Sequence, residues 1–344
     1  MSLLNTYEIG NHDKIPMVAP MMPRGVVFSL NKAQNYNHKL MNIPEMWKIS
    51  KGSGVRVAVL DTGVPSHRDI SVYEVGSFVP EYEIDTNGHG TMTGGIIAAN
   101  SLTDDGVKGI APLCHGMYCA VLDEYGVGEI SSIINGIYWA VDNGAEVINM
   151  SLGIPGNYRP GKDLEIACDY AASRGVTLFA SAGNDGGLVN WPAAYDSVVA
   201  VGAVDKHMDE AEFSCRGDEV EFTAGGVDIY STYLKNGYSI MSGTSFSCPS
   251  VAAMGALIIS ALKEHDMPSS PELVRKYLRQ MSYDIGEKGK DKLYGYGIPM
   301  FTEIPDGGVI DTKKPVEIGK KRNKLIKSKV IGFFKKIINF FKKR

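Results

Sequence analysis

Four short stretches of the 344-residue chain carry side chains with complementary chemistry. "VLDTGV" ends an apolar, β-branched run on Asp61, and "NGHGT" sets His89 between two glycines. "SAGNDG" carries Asn184, and "SGTSFSCP" carries Ser245. A carboxylate at a strand end can orient an imidazole and stabilise its protonated form, while the imidazole takes a proton from a serine hydroxyl. Ser245 follows Gly243 and Thr244 at the start of the run "FSCPSVAAMGALIISAL". If that run is helical, free backbone N–H groups and the positive helix end favour an oxyanion beside the serine. The Asn184 amide is a candidate second donor. Taken singly, each residue has a plainer reading: an aspartate capping a turn, a structural histidine, a small-residue helix start. Ser242, Ser247 and Ser250 keep that plainer reading.

The elements that must position these groups alternate in type. "GVRVAVLD" (54–61), "MYCAVL", "EVINMSLG", "VTLFASAGN" and "SVVAVGAV" read as strands, being apolar and bounded by turn residues. "NGHGTMTGGIIAAN" reads as a turn and a helix, and "EISSIINGIYWAVDNG" and "DLEIACDYAASRG" as helices stopped by glycine. Such alternation predicts an α/β sandwich, a mainly parallel sheet between helices. Parallel sheets present ligands at the carboxyl ends of their strands, where Asp61, Ser151 and Asn184 fall. Residues 1–44, interrupted by Pro16, Pro20, Pro23 and Pro44, read as an irregular N-terminal extension. A domain over 45–303, a linker over 304–319 and a last segment over 320–344 follow.

Charge separates that last segment from the rest. Residues 320–344 hold eleven Lys and Arg and no acid, leaving 24 basic against 39 acidic residues elsewhere, about −15. The body is therefore unsuited to nucleic acid. On a helical wheel Ile326, Val330, Phe333, Phe334, Ile337, Ile338, Phe340 and Phe341 share one arc, with Lys329, Lys335, Lys336, Lys342 and Lys343 opposite. This pattern predicts a cationic amphipathic helix for a membrane surface or an acidic partner; docking on the acidic body and a disordered tail are the alternatives. The N-terminus lacks a signal-peptide pattern, the five cysteines lack paired spacing, and no stretch shows about 18 apolar residues. The expectation is a cytoplasmic protein, peripheral at the inner membrane face if the last segment binds lipid.

The order Asp61, His89, Ser245, with "SAGN" between the last two, resembles the subtilisin-like serine peptidase (subtilase) family. "VKGIAP", "IINGIYWA", "INMSLG", "WPAAYDSVVAVGAV" and "STYLKNGYSIMSGTS" agree, over roughly residues 45–303. The resemblance implies a subtilisin-like three-layer sandwich and a serine endopeptidase acting through an acyl-enzyme. In it Asp61 orients His89, His89 is general base and then acid, Ser245 is the nucleophile, and Asn184 holds the oxyanion with the Ser245 N–H. The family's usual His-Val after "GHGT" is Met92-Thr93 here, and its Met-Ala and Pro-His after "GTS" are Phe246-Ser247 and Pro249-Ser250.

The same resemblance implies that a polypeptide substrate lies extended between Tyr125, Gly126 and Gly128 on one side and Ser151, Leu152 and Gly153 on the other. There the glycines would admit its backbone, and Ile130, Ile133 and Leu152 would line an apolar pocket. It also implies a structural calcium at Asp69 with Thr103 and Asp105 of the loop "NSLTDDGVKGIAP", against a merely solvated acidic loop. The layout is nearer to intracellular subtilisins, in which an N-terminal segment blocks the cleft, and "IPMVAPMMPRGV" is the candidate equivalent. A processing peptidase for one precursor, or an inactive effector working through its last segment, are the alternative functions.

Overall fold

In this computed structural model, the strand that ends on Asp61 shows how the layers divide. Val57 and Val59 face one apolar cluster, and Ala58 and Leu60 face another. Alternate side chains of a strand point to opposite faces, so a strand covered on both sides must be apolar throughout. The structure describes residues 35–80, 83–102 and 106–301, with the backbone of residues 26–27.

In chain order the elements are β1 (Val26–Val27), α1 (Asn37–Leu40), α2 (Ile43–Met46), β2 (Arg56–Asp61), β3 (Val72–Ser77) and α3 (His89–Ala98). Next come β4 (His115–Ala120), α4 (Ile130–Asp142), β5 (Val147–Met150), α5 (Lys162–Ser173), β6 (Thr177–Ser181) and β7 (Val198–Val204). The rest are β8 (Val220–Gly225), β9 (Ile229–Tyr233), β10 (Gly237–Met241), α6 (Thr244–Lys263), α7 (Pro271–Met281), β11 (Ser282–Tyr283) and β12 (Ile298–Pro299).

Seven strands form one sheet in the order β3-β4-β2-β5-β6-β7-β8, every neighbouring pair parallel. Residues of α3, α6 and α7 pack on the face that holds Val57, Val59 and Phe179. Those of α4 and α5 cover the face that holds Ala58, Leu60 and Leu178. The expected three-layer sandwich with its mainly parallel sheet is present. The five strands and three helices read from the sequence all form. The periodicity did not disclose β3, β8, the β9–β10 hairpin or α7. β3 is an edge strand with an exposure pattern that alternates around half-buried residues; β9 and β10 owe their burial to a helix that arrives from elsewhere in the chain.

Two expectations change. The described part of the N-terminal extension is not irregular: the boundary at residue 44 falls inside α2, and Met41, Ile43 and Met46 are buried in the main core. Asn37 ties this segment down, donating to Gly225 O and Ser250 Oγ at 2.9 Å each and accepting the Gly225 N–H at 2.8 Å. The backbone of β1 pairs antiparallel with β10. Second, α6 is long and apolar enough to cross a membrane, although serines and glycine interrupt it; its whole apolar window is buried inside the sandwich. A helix apolar on every side in a layered fold is a core helix.

Candidate active site

Asp61 is the last residue of β2 and His89 the first of α3. Their side chains meet at 2.6 Å, His89 Nδ1 to Asp61 Oδ1, and both are almost wholly buried. Oδ1 of Asp61 also accepts the Thr62 N–H at 2.7 Å, and its Oδ2 accepts the Thr93 hydroxyl at 3.1 Å. The carboxylate is thus fixed from three directions and accepts the hydrogen bond of Nδ1–H, which leaves Nε2 with a lone pair. His89 Nε2 is buried and has no hydrogen-bond partner among the described residues. Burial works against a charged imidazole here, but the charge and hydrogen bond of Asp61, helped by Asp85, outweigh it. His89 therefore sits above the ordinary histidine value. The glycines flanking His89 have packing reasons: a Cβ on Gly88 would run into the Tyr233 ring, and one on Gly90 would lie 3.0 Å from Gly63 O.

Ser245 is the second residue of α6, where the helix supplies no carbonyl for its N–H. Its hydroxyl donates to Ser151 O at 3.3 Å, and the Ser151 hydroxyl donates to Ser245 O at 2.8 Å. This reciprocal pair joins the end of β5 to the start of α6. The hydroxyl points to Ser151 rather than to His89, a looseness that catalytic hydrogen bonds show before substrate arrives. Asn184 follows β6, and its Oδ1 accepts both the N–H and the hydroxyl of Thr244 at 2.8 Å. Those two donors fix the amide orientation, so Nδ2 is its donor side, 3.4 Å from where a Cβ on Gly243 would lie. The carboxyl ends of β2, β5 and β6 thus bring Asp61, His89, Ser151, Asn184 and Ser245 to one place.

The sequence reading did not single out Asp85. It is buried, and its carboxylate accepts from Thr62 Oγ1 (2.9 Å), Asn87 N (3.0 Å), Gly88 N (2.8 Å), Thr91 N (2.7 Å) and Thr91 Oγ1 (2.6 Å). It caps α3 and holds the turn that presents His89. Its place in "EIDTNGHGT", two residues before the Asn87 N–H that it accepts, is a turn signal that was there to be read. Phe246 packs its ring 5.5 Å from the His89 imidazole.

Of the residues expected to line a groove, Ser151, Leu152 and Gly153 are buried, Ser151 against Ser245, whereas Tyr125 is exposed on a turn held by Asp123. The glycines answer to internal demands as well. Gly126 has a φ of +75°, a Cβ on Gly128 would run into Val121 O, and one on Gly153 would lie 2.9 Å from Asn190 Cβ. Ile130, Ile133 and Leu152 share one apolar cluster. Asp69 lies apart from these groups. Its Oδ2 accepts Tyr238 OH at 2.8 Å and Val107 N–H at 3.2 Å, and Arg68 Nε stands 4.0 Å from Oδ1. Thr103 and Asp105 lie outside the described residues. Among the described residues no group of three or more His, Cys, Asp or Glu is placed to hold a metal.

The chain is similar to known proteins over most of its length. The profile of the subtilase family (Peptidase_S8) matches residues 52–297. The chain is 44% identical over 256 residues to Subtilisin DY of Bacillus licheniformis, covering 72% of this chain and 89% of that protein. It is 38% identical over 287 residues to the Thermostable alkaline protease of Halalkalibacterium halodurans, covering 82% and 73%. It is 39% identical over 271 residues to the Minor extracellular protease Epr of Bacillus subtilis (strain 168), covering 77% of this chain but only 41% of that protein.

Proposed function

The chain belongs to the subtilase family of serine endopeptidases, and from that premise we propose that it cleaves polypeptides through Asp61, His89 and Ser245, with Asn184 at the oxyanion. The observation that carries this reading is the buried 2.6 Å contact between Asp61 and His89, with an unpartnered Nε2 on the other side of the ring. Ser245 Oγ attacks the scissile carbonyl carbon while its proton passes to Nε2. The imidazolium forms against Asp61, and the carbonyl oxygen gathers charge between the Ser245 N–H and Asn184 Nδ2. Collapse breaks the C–N bond, and the departing amine takes the proton from Nε2. Water then repeats the sequence on the acyl-enzyme and releases the acid. The substrate backbone lies between residues 125–128 and 151–153, pairing as an added strand.

A fluorophosphonate probe tests this: one adduct by intact mass, mapped to Ser245 and lost in Ser245→Ala. Asn184→Ala lowers kcat by about 10²–10³ with little change in KM, a magnitude taken from subtilisin itself. No adduct on the folded protein would overturn the proposal.

Two further roles belong to the same proposal. Asp69 is a buried carboxylate beside a loop rich in oxygens, a hard-donor set suited to calcium. Its Oδ1, Thr103 and Asp105 would hold the ion, which would neutralise charge and close the loop without entering the reaction. Chelation should then lower the melting temperature, and an unchanged melting temperature would remove calcium from the account. Residues 320–344, outside the described residues, would attach the enzyme to an anionic surface at the cytoplasmic side. Co-sedimentation with anionic vesicles, lost when the chain ends at residue 319, is the expected result. Equal sedimentation of both chains would sink it.

A further inference from the structure

Asn190 stands between two segments that adjoin the site, one following Ser151 and the other preceding Asn184. A Cβ built on Gly153, two residues after Ser151, would lie 2.9 Å from Asn190 Cβ and 3.1 Å from its Nδ2. One built on Gly183, next to Asn184, would lie 2.6 Å from the same Nδ2. Both segments are glycine where they meet the amide, so neither places a side chain over it. Asn190 itself is only 1% exposed.

The orientation of its amide is settled by its neighbours. Oδ1 accepts the Gly156 N–H at 3.0 Å, which assigns the oxygen to that side and the NH₂ group to the other. The backbone is also engaged, Asn190 N–H donating to Ala182 O at 2.8 Å and Asn190 O accepting from Ala194 N at 3.0 Å. Among the described residues Nδ2 has no hydrogen-bond partner, although it is buried. A buried donor without an acceptor is costly, and an acceptor that arrives with a substrate removes that cost in the complex alone.

Charge narrows the choice of acceptor. Asp185 lies close by, its Oδ1 accepting from Cys215 Sγ at 2.8 Å and from Gly187 N at 2.9 Å. Cys215 Sγ is itself 2.6 Å from the position of the Gly183 Cβ. Residues 1–319 as a whole carry an excess of acid. A carboxylate side chain would meet this field unfavourably, and a neutral acceptor would not.

We propose that Asn190 is a specificity-determining residue: its Nδ2–H selects an uncharged, hydrogen-bond-accepting side chain, such as the carboxamide of glutamine or asparagine, on the residue that supplies the scissile carbonyl. This rests on the peptidase reading above and revises the purely apolar pocket expected from Ile130, Ile133 and Leu152. The stem of such a side chain still lies against those apolar residues, and its oxygen meets the amide.

The test uses the full chain and a series of peptides that differ only at that residue: glutamine, asparagine, leucine, phenylalanine, glutamate and lysine. In the wild type, kcat/KM for glutamine or asparagine exceeds that for leucine by about tenfold, the worth of one hydrogen bond in a closed site. Asn190→Asp keeps the shape and the acceptor for Gly156 N–H while replacing the donor, so the amide-to-leucine ratio collapses and lysine gains relative to leucine. Asn190→Ala, which only removes the donor, collapses the ratio without favouring lysine. Each ratio is taken within one variant, so partial loss of folded protein does not enter it. A wild type that prefers leucine or phenylalanine, or variants that lower every peptide alike, overturns the assignment and leaves Asn190 a packing residue. Fluorophosphonate labelling of Ser245 on the same samples separates the two readings. Labelling with a flat ratio sinks only the Asn190 assignment, whereas neither labelling nor turnover sinks both.

Discussion

The carboxylate of Asp85 gathers five donors behind His89, while Asp61 holds the imidazole directly. The two acids have different work: Asp61 selects the tautomer, and Asp85 builds the turn and adds its charge to the field on the ring. That charge helps to hold His89 above the ordinary histidine value. In the proposed mechanism the base must be neutral to accept the serine proton, so the acid limb of kcat/KM is expected to follow this raised pKa. In Asp85→Asn the supporting charge is gone, and the limb moves to lower pH. An amide facing the Thr91 donors also disturbs the turn, and kcat falls by about tenfold. A pH–rate profile of both proteins checks this. A slower variant with an unmoved limb would leave Asp85 only a turn-former. Asp61, His89, Asn184 and Ser245 were legible because each sits in a short motif with its own glycines or strand end. Asp85 carried a turn signal of its own, its donors Asn87, Gly88 and Thr91 being close in sequence, but Asn190 was not legible, since its role consists of contacts with residues that local pattern does not reveal.

At the scale of elements, α3 shows what holds the helix that begins on His89 in place. Its inner turns carry glycine where β9 crosses it: Ser231 Oγ donates to Met92 O at 2.9 Å and Thr232 Oγ1 to Thr91 O at 2.8 Å. A Cβ on Gly95 would run into Thr232 Oγ1 and lie 2.8 Å from Ser231 Oγ. Helix propensity alone predicts that Gly95→Ala stabilises α3 by up to about 1 kcal/mol. Overpacking against β9 costs roughly 1–3 kcal/mol and wins. Urea unfolding should therefore show a net loss of stability, and fluorophosphonate labelling should slow as α3 shifts. A gain in stability would mean that the hairpin yields at little cost. The helix was readable from its own residues. Its partner was not, because a hairpin buried by a distant helix carries no periodicity that names the helix.

For the whole molecule, the segment around α1 couples stability to pH. His38 is buried with its ring edge-on to Trp47 at 5.4 Å, and burial, only partly opposed by a backbone hydrogen bond at Lys108, lowers its pKa to about 4. Above pH 6.5 neither folded nor unfolded chain protonates this group. Between about 6.5 and 4 the unfolded chain binds a proton that the folded one refuses, so stability falls with pH, by about 2 kcal/mol at pH 5 from this group. His38→Phe keeps the aromatic edge on Trp47 and should flatten that part of the decline. Denaturant midpoints of the two proteins from pH 7.5 to 5 decide it, and parallel curves would show that His38 does not carry the effect. The sequence by itself determined the sandwich and the order of its chemical groups. Apolar runs, glycine stops and catalytic motifs are local, and a parallel sheet brings successive strand ends to one edge. Only the tertiary structure decided that residues from Asn35 onward belong to the core, and that a buried amide, Asn190, stands between Gly153 and Gly183. Those outcomes depend on hydrogen bonds and close packing between segments far apart in the chain, where a single angstrom separates a donor from a clash.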